Sequence, residues 1–269
     1  VNGFDRASTG NTCNFIRQHA AALAAGGATF DAATNDAVTG GLFDLQDYPM
    51  TDYILGEEST VDETFSDSEQ SLVSAFLKTG GRLFVSGAEI AWDLDYKGSA
   101  TDKAFFHDYL KAQYSADAPG GVSAVYYSAE GLASGLFAGL TTIQYDNGTQ
   151  GTFDVKYPDA LIAVNGSRNE IRYKNVTTHT IGGISYAGLF PGGTAAGKLV
   201  YLGFPFETVY PAATREAMLA AILTFSVPIM PRPNQSSETC HSNFHWNRIT
   251  PTLSIPGPLF NLHYRNLPT

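Results

Sequence analysis

The chain has 269 residues, 43% hydrophobic and 16% charged, with a formal net charge of −10. That length and hydrophobic share exclude a disordered chain and suffice for one large core, and no apolar run approaches the ~18 residues of a membrane span. The acidic balance excludes nucleic acid and anionic membrane surfaces as partners, since both carry the same sign, and leaves neutral or cationic ligands open.

Low charge density with many Gly, Thr, Ser, Tyr and Asn has the look of a secreted protein. Cys13 and Cys240 are the two cysteines, either one long-range bridge or two unrelated thiols. No signal peptide is read in the numbered chain, so it is expected to be mature or truncated, and Val1 to Arg6 reads as the end of a first strand whose beginning is missing.

Ser8 to Asn11 is turn and capping chemistry, after which Ile16, Ala20 and Leu23 recur at helical spacing until Gly26 and Gly27. Residues 29–32 read as a short strand or extended loop. Tyr53-Ile54-Leu55 reads as a strand that ends in Gly56-Glu57-Glu58-Ser59. Ser66 and Glu69 form a capping box before a helix whose apolar face is Leu72, Val73, Phe76 and Leu77, closed by Gly80-Gly81. Arg82 to Ser86 is the next strand, and it runs into Gly87, a short helical pattern and an acidic, flexible segment from Asp93 to Ser99.

A helix from about Thr101 presents Phe105, Phe106, Tyr109 and Leu110. Between about 120 and 197 the pattern changes to short alternating runs around Ile143, Ile171 and Ile184, separated by turn residues, which predicts antiparallel hairpins. Lys198 to Gly203 is a near-continuous apolar strand that ends before Phe204-Pro205-Phe206-Glu207. A last helix carries Met218, Leu219, Ile222 and Leu223 on one face.

Strands alternating with helices predict an α/β fold: a flavodoxin-like, mainly parallel sheet with helices on both faces, plus the hairpin-rich insertion. Residues 1–227 are expected to form this domain and 228–269 an irregular tail. Gly192 to Lys198 fits most of a phosphate-binding loop, but Leu199 stands at the Ser/Thr position and a strand follows, so it reads as a hairpin loop.

Taken together, Val1 to Arg6, Ile54 to Ser59, Gly80 to Leu94 and Leu199 to Glu207 resemble the class I glutamine amidotransferase-like domain of secreted bacterial proteins, many of them xanthan lyase-like. In that family the nucleophilic cysteine sits on a strained turn after a central strand, and a His and a Glu follow a later strand. The resemblance puts the nucleophile position on Ser86, the glutamate on Glu207 and the histidine on Pro205. The base is missing, and a serine needs one more than a cysteine does, so glutamine hydrolysis by the family mechanism is not expected.

Two constellations remain. In the first, Ser86 attacks an ester, backbone amides of Gly56 or Gly87 hold the oxyanion, and a histidine comes from elsewhere: His107 first, with His179, His241 and His245 as further candidates. The bland alternative is that Ser86 is only the small residue that a tight turn demands. In the second, Glu57, Glu58, Glu89, Asp93 and Glu207 gather at one sheet edge, as an acid and base on a glycoside, as substrate-binding groups, or as helix caps. No Asp-x-Asp calcium loop accompanies them, so no metal is expected, and no cofactor either.

Tyr126, Tyr127, Tyr145, Tyr157 and Tyr173 form either a sugar-stacking surface or core packing. The expected function is a secreted bacterial hydrolase-type domain, either a serine-dependent esterase or an accessory domain of a polysaccharide-degrading enzyme. A silent carbohydrate-binding or packing domain and a carboxylate glycosidase are the alternatives. The ligand is a small ester or a carbohydrate, and the oligomeric state is open.

Overall fold

The computed structural model describes residues 1–4 and 11–226. Helix α1 (Ile16–Ala25) and the short α2 (Asn35–Thr39) precede strand β1 (Met50–Gly56). Helix α3 (Asp67–Lys78) starts at Ser66, whose hydroxyl accepts the Glu69 amide while the Glu69 carboxylate accepts the Ser66 amide, so two otherwise orphaned donors are satisfied. Strand β2 (Arg82–Gly87) is followed by a π-helical turn, Trp92–Lys97, and by α4 (Ala100–Asp108). Then come β3 (Ala112–Ala116), β4 (Ser128–Gly131), β5 (Ile143–Tyr145), β6 (Ala160–Ala163), β7 (Arg168–Tyr173) and β8 (Ile181–Leu189). Strands β9 (Ala196–Leu202) and β10 (Val209–Tyr210) and helix α5 (Ala212–Ser226) complete the described elements.

One sheet contains all these strands, eight of them in the order β1-β2-β9-β8-β7-β4-β5-β10, while β6 pairs with β3 and β8. The β1–β2 and β2–β9 pairs are parallel, and Asn2 adds a parallel bridge to Ile54. The other pairs between these strands are antiparallel. The fold is therefore mixed α/β, and the expectation of a flavodoxin-like, mainly parallel sheet is corrected. Strand β8 is the cause: it zips to β9 from Gly183↔Leu202 to Leu189↔Ala196, so the hairpins join the same sheet. A run such as Leu199 to Leu202, buried on both faces, has the look of a parallel strand whatever its neighbours do.

Side chains alternate across the sheet. Ile54, Phe84, Val200 and Leu202 face one core with Ala22 and Leu23 of α1 and Met218, Leu219 and Ile222 of α5. Tyr53, Leu55, Leu83, Val85, Leu199 and Tyr201 face the other, with Val73, Phe76 and Leu77 of α3 and Phe105 and Phe106 of α4. Helices thus cover both faces of the β1–β2–β9 portion. Among the described residues no helix is long and apolar enough to cross a membrane. Cys13 is exposed. Its conceivable partner Cys240, the histidines His241 and His245 and the tail as a whole lie outside the described residues.

Candidate functional site at the carboxyl edge of the central strands

Ser86 does not reach the surface. Its exposure is 0%, and its Oγ has no hydrogen-bond partner among the described residues. Position decides this: Ser86 lies two residues after Phe84, so it points to the face covered by α1 and α5, between Ile54 of β1 and Leu202 of β9. His107 cannot serve it, because α4 packs on the opposite face of the sheet and His107 Nε2 lies 2.9 Å from Asp95 Oδ1. His179 is exposed, with Nδ1 2.8 Å from Ser115 Oγ. Gly56 and Gly87 are paired with each other inside the β1–β2 ladder, so they do not frame an open oxyanion hole. The esterase arrangement of Ser86, His107, Gly56 and Gly87 is corrected on this geometry.

The turn itself lies three residues later. Ala88 N–H still donates to Gly56 O at 2.8 Å, and the residue with left-handed backbone is Glu89, at φ 61°. A non-glycine residue held there carries strain of about 1 kcal/mol or more. The strained turn after the central strand, where the resembled family keeps its nucleophile, thus carries a carboxylate. Gly56 also has positive φ, 57°, and a Cβ there would meet Asn11 Oδ1 at 2.1 Å. That close approach lets Asn11 accept the Glu57 amide at 2.7 Å and fixes how the chain leaves β1.

The acidic constellation divides. Glu57 and Glu89 come together: burial first, and then the Glu89 charge, pushes Glu57 up to about 7. Glu89 is itself raised, by burial ahead of an opposing hydrogen bond from Ser59 and the charge of Asp93. Asp93 is committed to structure, accepting Thr64 N at 2.8 Å and Thr64 Oγ1 at 2.9 Å. Glu58 is buried at 3% exposure, and its amide donates to Leu55 O. Glu207 is fully buried on the α1 side and belongs to a different group. Among the described residues, no cluster of three or more His, Cys, Asp and Glu side chains could hold a metal ion.

That different group is centred on His19, which the sequence reading passed over. His19 Nδ1 lies 2.7 Å from Asp52 Oδ2 and Nε2 lies 3.3 Å from Glu207 Oε2, with His19 and Glu207 at 0% side-chain exposure. Burial is the largest single influence and lowers the imidazole pKa. The charge and hydrogen bond of Asp52 and those of Glu207 outweigh it and bring the value to about 9. At neutral pH His19 is therefore a buried cation donating from both nitrogens, tying α1 to β1 and to the turn after β9. Its position three residues after Ile16, on the apolar stripe of α1, was the available clue.

Two further acids join Glu57 and Glu89 at the strand edge. Asp117 is pushed up to about 6 by burial and then by the Glu89 charge. Asp159, fully buried, accepts Ala91 N–H at 2.6 Å and Trp92 N–H at 3.3 Å, satisfying the free amides that open the π-helical turn. The segment read as flexible is thus a held turn. Its wider i→i+5 spacing brings residues four apart nearly above one another, and Trp92 and Tyr96 stack with ring centres 4.6 Å apart. Tyr114 packs against both, at 6.1 Å and 5.1 Å. The hairpin tyrosines named in the sequence do not form a comparable surface, because Tyr145 and Tyr173 are core residues at 0% and 2% exposure.

No protein-family model matches the chain, and the search of curated proteins finds no match. Solved structures do match. A GH42 beta-galactosidase from G. stearothermophilus is similar at 13% identity and TM-score 0.51, over 83% of this chain and 27% of the galactosidase. The mmIFT52 N-terminal domain is similar at 11% identity and TM-score 0.50, over 80% of this chain and 91% of that domain. A protein described as a GMP synthase component from Thermoplasma acidophilum is similar at 12% identity and TM-score 0.48, over 80% of this chain and 89% of that one. The chain spans about a quarter of the length of the galactosidases it matches. At these identities the likeness is one of fold, an α/β architecture found both inside a much longer glycosidase and as a domain in its own right.

Proposed function

We propose that this chain is a catalytically silent accessory domain of a secreted bacterial polysaccharide-degrading protein. What carries the reading is Glu89 on the strained turn after β2, where the amidotransferase architecture needs a nucleophile, with Ser86, the serine on the strand leading into that turn, sealed in the core. A carboxylate there accepts hydrogen bonds from hydroxyls and is a weak nucleophile toward an amide or ester carbonyl. The fold likeness to part of a glycosidase fits an accessory role and adds no catalytic residue.

The test is turnover. The purified chain is incubated with glutamine, p-nitrophenyl esters and p-nitrophenyl glycosides, and ammonia and nitrophenolate release are followed. The expected result is background rates, the same for Ser86→Ala as for the parent. Turnover abolished by Ser86→Ala overturns the reading in favour of an esterase.

A second reading, a carboxylate glycosidase, is favoured by one observation: Glu57 is pushed up to about 7 beside a second carboxylate, Glu89, so that it can carry a proton near neutral pH as a general acid must. Glycoside release that Glu57→Gln abolishes would establish it.

A further inference from the structure

The rings beside the acidic edge present Tyr96 at the surface, backed by Trp92 and by Tyr114, which also packs against the core. Tyr96 is 54% exposed, Trp92 and Tyr114 are half-buried, and the three are in mutual contact. Trp92 is anchored from below, where the Asp159 carboxylate holds its amide. Tyr114 is anchored through its own amide, which donates to Asp95 Oδ2 at 2.7 Å, and Asp95 is in turn held by His107. Two buried or half-buried carboxylates thus fix the backbone at Trp92 and Tyr114, and Tyr114 also packs against the core on the α3–α4 side. Tightly held rings on a surface lose little entropy when something lies on them.

The rim has hydrogen-bonding capacity of both kinds. The Lys97 ammonium lies 4.8 Å from the Trp92 ring centre and 5.1 Å from that of Tyr96, a donor above the rings. Asp117 and Glu89 are acceptors, close enough for the Glu89 charge to raise Asp117. Asp117 is half-buried, with Oδ1 itself enclosed. An ionised carboxylate can only accept, so these acids call for donors on the ligand. The match is an uncharged ligand with an apolar face and a rim of hydroxyls. A nucleotide would bring phosphates and a uronate would bring carboxylates, toward acids that already repel one another on a chain of net charge −10.

Resting on the accessory reading above, we infer that Trp92, Tyr96 and Tyr114, rimmed by Lys97, Glu89 and Asp117, bind a neutral hexopyranosyl chain. The C–H face of one sugar ring lies on the exposed Tyr96 ring, which Trp92 backs by stacking on it. Its hydroxyls donate to Asp117 and Glu89 and accept from Lys97. The site refuses acidic polysaccharides, so a xanthan-like, uronate-bearing chain is not its ligand.

Titration calorimetry with β-1,4-galactotetraose, cellotetraose and xylotetraose, against trigalacturonate, tests this on the whole chain. At least one neutral tetrasaccharide is expected to bind at millimolar concentration or below, and trigalacturonate at least about tenfold more weakly. Tyr96→Ala, an exposed position whose circular dichroism and melting should match the parent, is expected to weaken binding about tenfold, the scale of one lost ring contact. Asp117→Asn, which keeps the shape, should narrow the gap between neutral and acidic probes. Absence of binding to all three neutral probes overturns the inference, and so does a folded Tyr96→Ala that binds like the parent, or trigalacturonate bound as tightly as the neutral chains. In those cases the accessory reading stands as long as no probe is cleaved, whereas cleavage of a probe overturns that reading instead.

Discussion

Replacing His19 by Gln tests whether the buried cation stabilises the fold. The side chain is enclosed between Asp52 and Glu207, and its imidazole pKa rises from 6.5 to about 9. Each unit is ~1.4 kcal/mol, so the charged form contributes roughly 3 kcal/mol to folding. That lies at the lower end of the ~3–5 kcal/mol lost when one partner of a buried pair is removed. Because the folded value is the raised one, the contribution is complete below about pH 6.5, declines as the imidazolium loses its proton, and is gone above about pH 9. Removing the cation also leaves the Glu207 carboxylate without its hydrogen-bond partner among the described residues.

His19→Gln should therefore melt about 6–12 °C below the parent at pH 6, by the usual conversion for a domain of this size. The gap should close progressively between pH 7 and pH 10. Urea and thermal unfolding of both proteins in parallel across that range measure it, and comparing the pair cancels lysines and tyrosines that titrate in the same window. A gap of constant size from pH 6 to pH 10 would mean that His19 acts by packing alone, and the electrostatic argument would fail.

Ser86→Ala removes a buried hydroxyl that makes no hydrogen bond among the described residues, so stability measured by urea unfolding should change by less than about 1 kcal/mol, and a large loss would show that Oγ has a partner. Glu89→Gly should stabilise by about 1 kcal/mol through relief of the left-handed backbone, and a neutral result would show that the strain is compensated elsewhere. Glu57 titrates at about 7, above its ordinary 4.5, so its share of stability is lost as pH rises from 4.5 through 7. Glu57→Gln should flatten that slope in a melting profile, and an unchanged slope would place its cause elsewhere.

Local signals were legible where they act within one element. Ser66 and Glu69 announce α3 because both halves of the box lie three residues apart, and Gly80-Gly81 marks its end. Antiparallel hairpins around Ile143, Ile171 and Ile184 could be read from their turns. Pairing partners could not: nothing in Leu199 to Leu202 says that one neighbour is parallel and the other antiparallel. Ser86 was misplaced for a related reason. The strand continues through Gly87, and the reversal falls on Glu89, a residue type seldom found at positive φ. The Trp92–Tyr96 pair has ordinary i,i+4 spacing, but its segment reads as an acidic loop, and the third ring of the cluster comes from β3. His19 lay on an apolar stripe, but both its carboxylate partners, at 52 and 207, are brought by long-range topology.

The placement of β9 sets an order of assembly. Strand β2 is complete by residue 87, yet one of its two neighbours is not synthesised until residue 196. Until then Leu83, Phe84 and Val85 line an open edge of the kind that recruits other chains. The hairpins between them close over short separations and so should form first, presenting β8 as the template on which β9 docks before it seals β2. A chain shortened to end before Ala196 should be found in aggregates, even though every residue of the acidic edge is still present in it.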